Sequence, residues 1–120
     1  MTVEPGWLTE VLRISGVTGA AVVGVESRPV EVASAAGDLA RLALTYEPSG
    51  RPGPPTIIAK APGTTETQRA MEAAMGLFTR ERFVYAELAG VLPIGLPHCY
   101  FAGSPDGGEP MLLEDLRGLR

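Results

Sequence analysis

Apolar positions recur along the chain at two different periods, and the changes of period mark its elements. Trp7, Leu8, Val11 and Leu12 repeat at helical spacing between Pro5 and Gly16. This predicts a short amphipathic helix packed on the outside of a sheet, since proline suits a first turn and glycine a helix end. Val22–Val25 reads as a first strand. Asp38–Tyr46 reads as a second, with Leu39, Arg41, Ala43 and Thr45 on one face because strand side chains alternate. Glu47–Pro55 is a proline- and glycine-rich loop, too rigid and too poor in donors to join a sheet. Thr56–Ala61 follows as a nearly continuous apolar run, which predicts a third strand buried on both faces.

Pro62 and Gly63 stop that strand, and Thr65 with Gln68 three residues on forms a capping-box signature. The long helix it opens is expected to run to Ala89, with Gly76 as a break or kink. After a turn at Pro93–Pro97, two more strands are expected at about Cys99–Gly103 and Pro110–Leu116. Ser104–Gly108 would join them as a hairpin turn, because glycine accepts positive φ. The expected fold is α+β: an antiparallel sheet of about five strands, one long helix across it and a short N-terminal helix.

Length and composition narrow the function. The 120 residues make one domain, and 45% hydrophobic content supports a real core. A net charge of −4 argues against nucleic-acid binding, which needs clustered cations. Cys99 is the only cysteine, so no intrachain disulfide forms, which fits a reducing compartment. One cysteine and one histidine do not close a zinc site. Met1–Arg13 carries Glu4, Glu10 and Arg13 and does not read as a signal peptide. The longest apolar stretch, Val17–Val25, is interrupted by Thr18, Gly19 and Gly24 and is too short for a membrane span. A cytoplasmic protein without membrane partners is expected.

The candidate chemistry lies in two residues. Lys60, the only lysine, ends the third strand, and Glu81 follows twenty-one residues later. At about 100° per residue, Met71, Ala74, Met75, Phe78, Tyr85 and Leu88 share one arc of the long helix. Glu81 falls inside that arc, while Arg80 and Glu87 lie on the solvent side. A carboxylate facing a core is costly unless it meets a cation. Lys60 is one partner within reach of this reasoning; Arg82 and Arg41 are rivals. Taken singly, Glu81 also reads as a solvated residue at the margin of the stripe, and Lys60 as a strand-end lysine snorkelling into water. A strand lysine followed by an inward-facing helix glutamate is how kinase-type folds hold the phosphates of ATP. Lysine suits that task as a compact point charge on a flexible stem.

Four segments extend this pattern: Pro55–Lys60 (PTIIAK), Phe78–Leu88 (FTRERFVYAEL), Leu96–Tyr100 (LPHCY) and Met111–Leu116 (MLLEDL). In order and spacing they resemble the N-terminal lobe of the aminoglycoside phosphotransferase and choline kinase-like family, in particular its ecdysteroid kinase-like branch. The resemblance covers most of the chain from Ala40 to Gly118. It implies that Lys60 contacts the α- and β-phosphates of ATP and that Glu81 holds Lys60 in place. It also implies that Met111–Leu116 runs into the hinge between two lobes. Leu113 would sit behind the adenine, with the Glu114 carbonyl and the Leu116 amide hydrogen-bonding it. The loop Glu31–Gly37 (EVASAAG) lies where the family carries its phosphate-covering turn. It has one glycine instead of a G-x-G-x-x-G pattern, and Ser34 would add its hydroxyl there.

The family's catalytic H-x-D-x-x-x-x-N loop and its D-x-D metal site belong to a second, helical lobe. His98 is followed by Cys99 and Tyr100 and does not supply that loop, so it reads as a strand-edge or satisfied core residue. Asp106–Gly107 reads as hairpin turn, and Glu114–Asp115 as a solvated strand end. The expected function is therefore the ATP-binding half of a kinase for a small hydroxyl-bearing acceptor. No catalytic residue lies in this chain, and Mg2+ would be held by the absent lobe. Leu113 and Leu116 would then be exposed at the cleft and favour self-association. Two alternatives stand beside this reading: a non-catalytic regulatory or assembly lobe, and an unrelated small α+β module for ligand binding or dimerisation.

Overall fold

In a computed structural model, residues 3–30, 38–88, 97–103 and 109–116 are described. The elements are α1 (Pro5–Ile14), β1 (Val22–Pro29), β2 (Asp38–Tyr46), β3 (Thr56–Ala61), α2 (Glu66–Met75), α3 (Leu77–Phe83), β4 (Cys99–Phe101) and β5 (Met111–Glu114). A π-helical turn over Val84–Leu88 continues α3. The five strands form one sheet in the order β1-β2-β3-β5-β4, with every neighbouring pair antiparallel. The α+β architecture, the short first helix and the bounds of β2 and β3 are as the sequence predicts. β1 runs on to Pro29, four residues past its expected end, because it pairs with β2 as far as Ala40.

Alternation sorts the sheet into two faces. Ala40, Leu42 and Leu44 of β2, Ile57 and Ala59 of β3 and Leu112 of β5 share one face and are buried. Leu8, Val11 and Leu12 of α1 close that core from above. Thr9 ties α1 to β1, its hydroxyl accepting the Val22 amide at 2.9 Å. At the sheet's edge, the Trp7 ring meets Phe101 of β4 edge-on at 5.3 Å. The larger core thus lies beneath the short N-terminal helix.

The loop after β2 forms no strand, as expected, yet it is fastened at several points. The Gly19 amide donates to the Arg51 carbonyl at 2.8 Å, and the Leu44 amide to that of Pro55 at 2.8 Å. The Tyr46 hydroxyl donates to the Pro54 carbonyl at 2.8 Å. Gly53 is needed here for space, since a Cβ would stand 2.8 Å from the Tyr46 hydroxyl and 3.0 Å from Thr18. The Tyr46 phenol, half-buried by this loop, has its pKa raised to about 12, first by desolvation and then by Tyr100.

The long helix is divided in two at Gly76, where the sequence places a break or kink. Gly76 adopts the left-handed conformation (φ 60°, ψ 38°), ending α2 and starting α3. The capping box at the start of α2 forms as expected, Thr65 accepting the Gln68 amide. Gln68 also donates to Asp38 at 3.1 Å, tying α2 to the start of β2. Glu72 joins the two helices: its carboxylate accepts the Phe78 amide at 2.8 Å and the Thr79 hydroxyl at 2.6 Å. The break changes which residues face the sheet. α2 buries none of its side chains, so Met71, Ala74 and Met75 do not reach the core, whereas Phe78 of α3 does. An apolar arc computed for one straight helix does not survive a left-handed residue at its middle. The hairpin turn predicted at 104–108 lies outside the described residues, as does nearly all of the turn predicted at 93–97.

Two predictions follow from the helix joint. Nothing lies within 4 Å of a Cβ built at Gly76, so its substitution acts through the backbone alone. Gly76→Ala should lower stability by about 1–2 kcal/mol, read as a fall in the urea midpoint with unchanged slope. An unaltered midpoint would show that the joint tolerates an ordinary helical conformation. The Glu72 carboxyl has its pKa lowered from 4.5, chiefly by the Thr79 hydrogen bond. Its contribution is therefore present above pH 4.5 and lost as the pH falls through the lower folded-state value. Stability of the wild type and of Glu72→Gln, followed by urea denaturation across the acid range, should differ in slope only in that window.

Candidate functional site

The second sheet face carries the polar chemistry. Leu39 and Arg41 of β2, Thr56, Ile58 and Lys60 of β3, and Met111 and Leu113 of β5 alternate onto it. The register places Lys60 between Leu39 and Met111, and Ile58 between Arg41 and Leu113. β3 has a strand on each side, so Lys60 is only 8% exposed even though it stands near the strand's end. Snorkelling into open water is not what its side chain does.

Glu81 meets it there. Phe78 anchors α3 in a small cluster with Met111 and Leu113, flanked by Ile58, Tyr85 and Cys99. Glu81 lies three residues after Phe78, on the same helix face. The Lys60 Nζ donates to the Glu81 Oε2 at 2.5 Å. The rival cations are committed elsewhere. Arg82 is buried, lies over the Phe78 ring at 4.9 Å and donates from Nε to the Ala102 carbonyl at 3.0 Å. Arg41 pairs with Asp115 at 2.8 Å. Of the three candidate partners, Lys60 is the one paired with Glu81.

Replacing such a pair with apolar side chains is often neutral or stabilising, so burial alone does not explain it. The Glu81 side chain is 30% exposed, which leaves the pair accessible from one side. Tyr85 stands one turn beyond Glu81, and its hydroxyl pKa is raised by burial first and by the Glu81 carboxylate second. The Cys99 thiol is likewise pushed up by burial, which keeps it protonated and unreactive.

At the other end of this face, the structure both meets and revises expectation. Leu113 is 6% exposed and packed under Phe78, so it is not the open apolar surface expected at the cleft. Leu116 is 46% exposed. Glu114 acts as a clamp on β4: its amide donates to the His98 carbonyl at 2.8 Å, and its carboxylate accepts the His98 amide at 3.1 Å. The exposed His98 ring lies edge-on to Tyr100 at 5.1 Å, a strand-edge role. Asp115 departs most from expectation. It is 8% exposed, and its Oδ2 accepts from Arg41 Nε at 2.8 Å and from the Thr56 hydroxyl at 2.9 Å. A signal existed in the sequence, since Asp115 stands two residues after Leu113 and continues its inward alternation.

Ser34 lies outside the described residues. Among the described residues, no group of three His, Cys, Asp or Glu side chains is placed to hold a metal ion. No described helix is long and apolar enough to cross a membrane. The donor set suits an anionic ligand: a shielded ammonium, oriented by a carboxylate, on a sheet face whose other charged group, the Arg41–Asp115 pair, is already matched. Comparisons with protein families, with curated proteins and with solved structures find no match to this chain.

Proposed function

We propose that the chain binds the phosphates of ATP through Lys60, as the N-terminal lobe of a phosphotransferase acting on a small acceptor. The observation that carries this reading is the Lys60–Glu81 pair, which joins a central strand to a helix at the partly open side of a sheet. Glu81 fixes the direction of the Lys60 ammonium, and Lys60 would neutralise charge on the α- and β-phosphates. That is how positioning and electrostatics act in phosphoryl transfer. The strand order, with the lysine strand between β2 and β5, and the resemblance to aminoglycoside phosphotransferase and choline kinase-like proteins support the same reading. Leu113 would back the adenine, with the Glu114 carbonyl and Leu116 amide facing its edge. The H-x-D-x-x-x-x-N signature does not occur within these 120 residues, so the general base and the Mg2+ ligands would come from a helical lobe. The acceptor would bind there as well. The reading places the protein in the cytoplasm, where ATP is available and Cys99 stays reduced.

Titration calorimetry with Mg-ATP tests it directly. Lys60→Ala should weaken binding roughly ten- to a hundredfold, the scale of losing a charge-assisted hydrogen bond. Glu81→Gln should weaken it less, by loosening Lys60 rather than removing it. Equal affinity in wild type and Lys60→Ala would overturn the role of Lys60, and no binding by either would favour a module that ignores nucleotide.

A double substitution separates a functional pair from a structural one. Lys60→Met with Glu81→Leu replaces both charges by apolar side chains of similar size. Stability should hold or rise, by up to about 4 kcal/mol, while ATP binding is lost. A large loss of stability in thermal melts would make the pair chiefly a structural element.

A further inference from the structure

The last ladder pair joining β5 to β3 is Glu114 with Ile57. Beyond it, β5 has ended and Leu116 is nearly half exposed. Asp115 stands at this point, and its buried carboxylate reaches back across two strands. Arg41 on β2 and Thr56 on β3 both donate to the same oxygen, Oδ2. The side chain of Arg41 is itself a quarter exposed, at 25%, while that of Asp115 is 4% exposed. Burying a carboxylate is costly, and an apolar residue at position 115 would serve packing better. What an ion pair adds over an apolar contact is a fixed direction and height for the chain that carries it.

We propose that Asp115, held by Arg41 and Thr56, is a positioning residue that sets the Glu114–Leu116 backbone for recognition of an adenine base. The proposal rests on the nucleotide reading given above. Thr56 and Lys60 lie on the same face of β3, four residues and thus about 13 Å apart. That is the scale of a nucleoside with its first phosphates. Lys60 marks the phosphate end of the face, and the Arg41–Asp115–Thr56 cluster marks the base end. Asp115 touches no ligand in this scheme; it acts through the peptide groups on either side of it. Its effect is therefore specific to the base, whereas that of Lys60 is common to all polyphosphates.

Calorimetric titrations with Mg-ATP and with Mg-tripolyphosphate read the two ends separately. Asp115→Asn should weaken ATP binding about tenfold, the scale of one charge-assisted hydrogen bond. Tripolyphosphate affinity should be unchanged. Lys60→Ala should weaken both ligands. Thr56→Val removes one donor and keeps the ion pair; it should show a smaller loss of the same ATP-only kind, and it decides the matter if Asp115→Asn does not fold. Unchanged ATP affinity in a folded variant, or equal losses for the two ligands, would overturn the positioning role. Wild-type protein that binds both ligands equally would overturn it too, while leaving Lys60 as a phosphate contact. Binding of neither ligand by wild type would sink the nucleotide reading itself.

Discussion

A charge in the middle of a sheet has to find its counter-charge outside it. Lys60 stands on β3 with a strand on either side, and the opposing residues, Leu39 and Met111, are apolar. Its carboxylate arrives from α3, and much of the architecture beside the sheet can be understood as what brings Glu81 there. Phe78 seats the helix on Met111 and Leu113. Gly76 turns the chain so that α3 meets the sheet while α2 does not. Glu72 caps the start of α3 across that turn. Each of these small contacts is ordinary; together they hold two charged atoms in register across different elements.

The two faces of the sheet do different work. Beneath α1, the buried residues are apolar and give the domain its larger core. On the opposite face, two ion pairs stand at alternate positions, Lys60 with Glu81 and Arg41 with Asp115. The apolar contribution to stability scales with area and needs little directional precision. Ion pairs contribute less to net stability and more to geometry. The division places the features that demand exact placement on the side left partly open.

Local chemistry made much of this legible in the sequence. The alternation of β2, the apolar run of β3 and the Thr65–Gln68 cap each depend on residues close together in the chain, and each is present. The inward facing of Glu81 follows from helical periodicity after Phe78, where α3 keeps a regular course, while the choice of Lys60 over Arg82 and Arg41 is made by the fold. The failures share a cause. Helical periodicity groups Met71, Ala74 and Met75 with Phe78 only if one straight helix passes through Gly76, and a single left-handed residue undoes that grouping. For Asp115, alternation after Leu113 points inward, but the partners that make burial affordable are 74 and 59 residues away, and only the fold brings them together. Leu113 is covered by Phe78 from a helix 35 residues earlier in the chain, a contact that strand alternation does not encode.

α2 has a lasting consequence for how this sequence is free to drift. Its ten residues bury no side chain, and it is held by its ends: Thr65 and Gln68 at the start, Glu72 and Gly76 at the finish. Gly63 adds a steric condition, since a side chain there would overlap Gln68. The exposed positions between these fixed points carry no packing constraint. Natural variation can therefore accumulate along the middle of α2 without moving Lys60 or Glu81. The segment's chemistry is open to change while the geometry it frames is inherited intact.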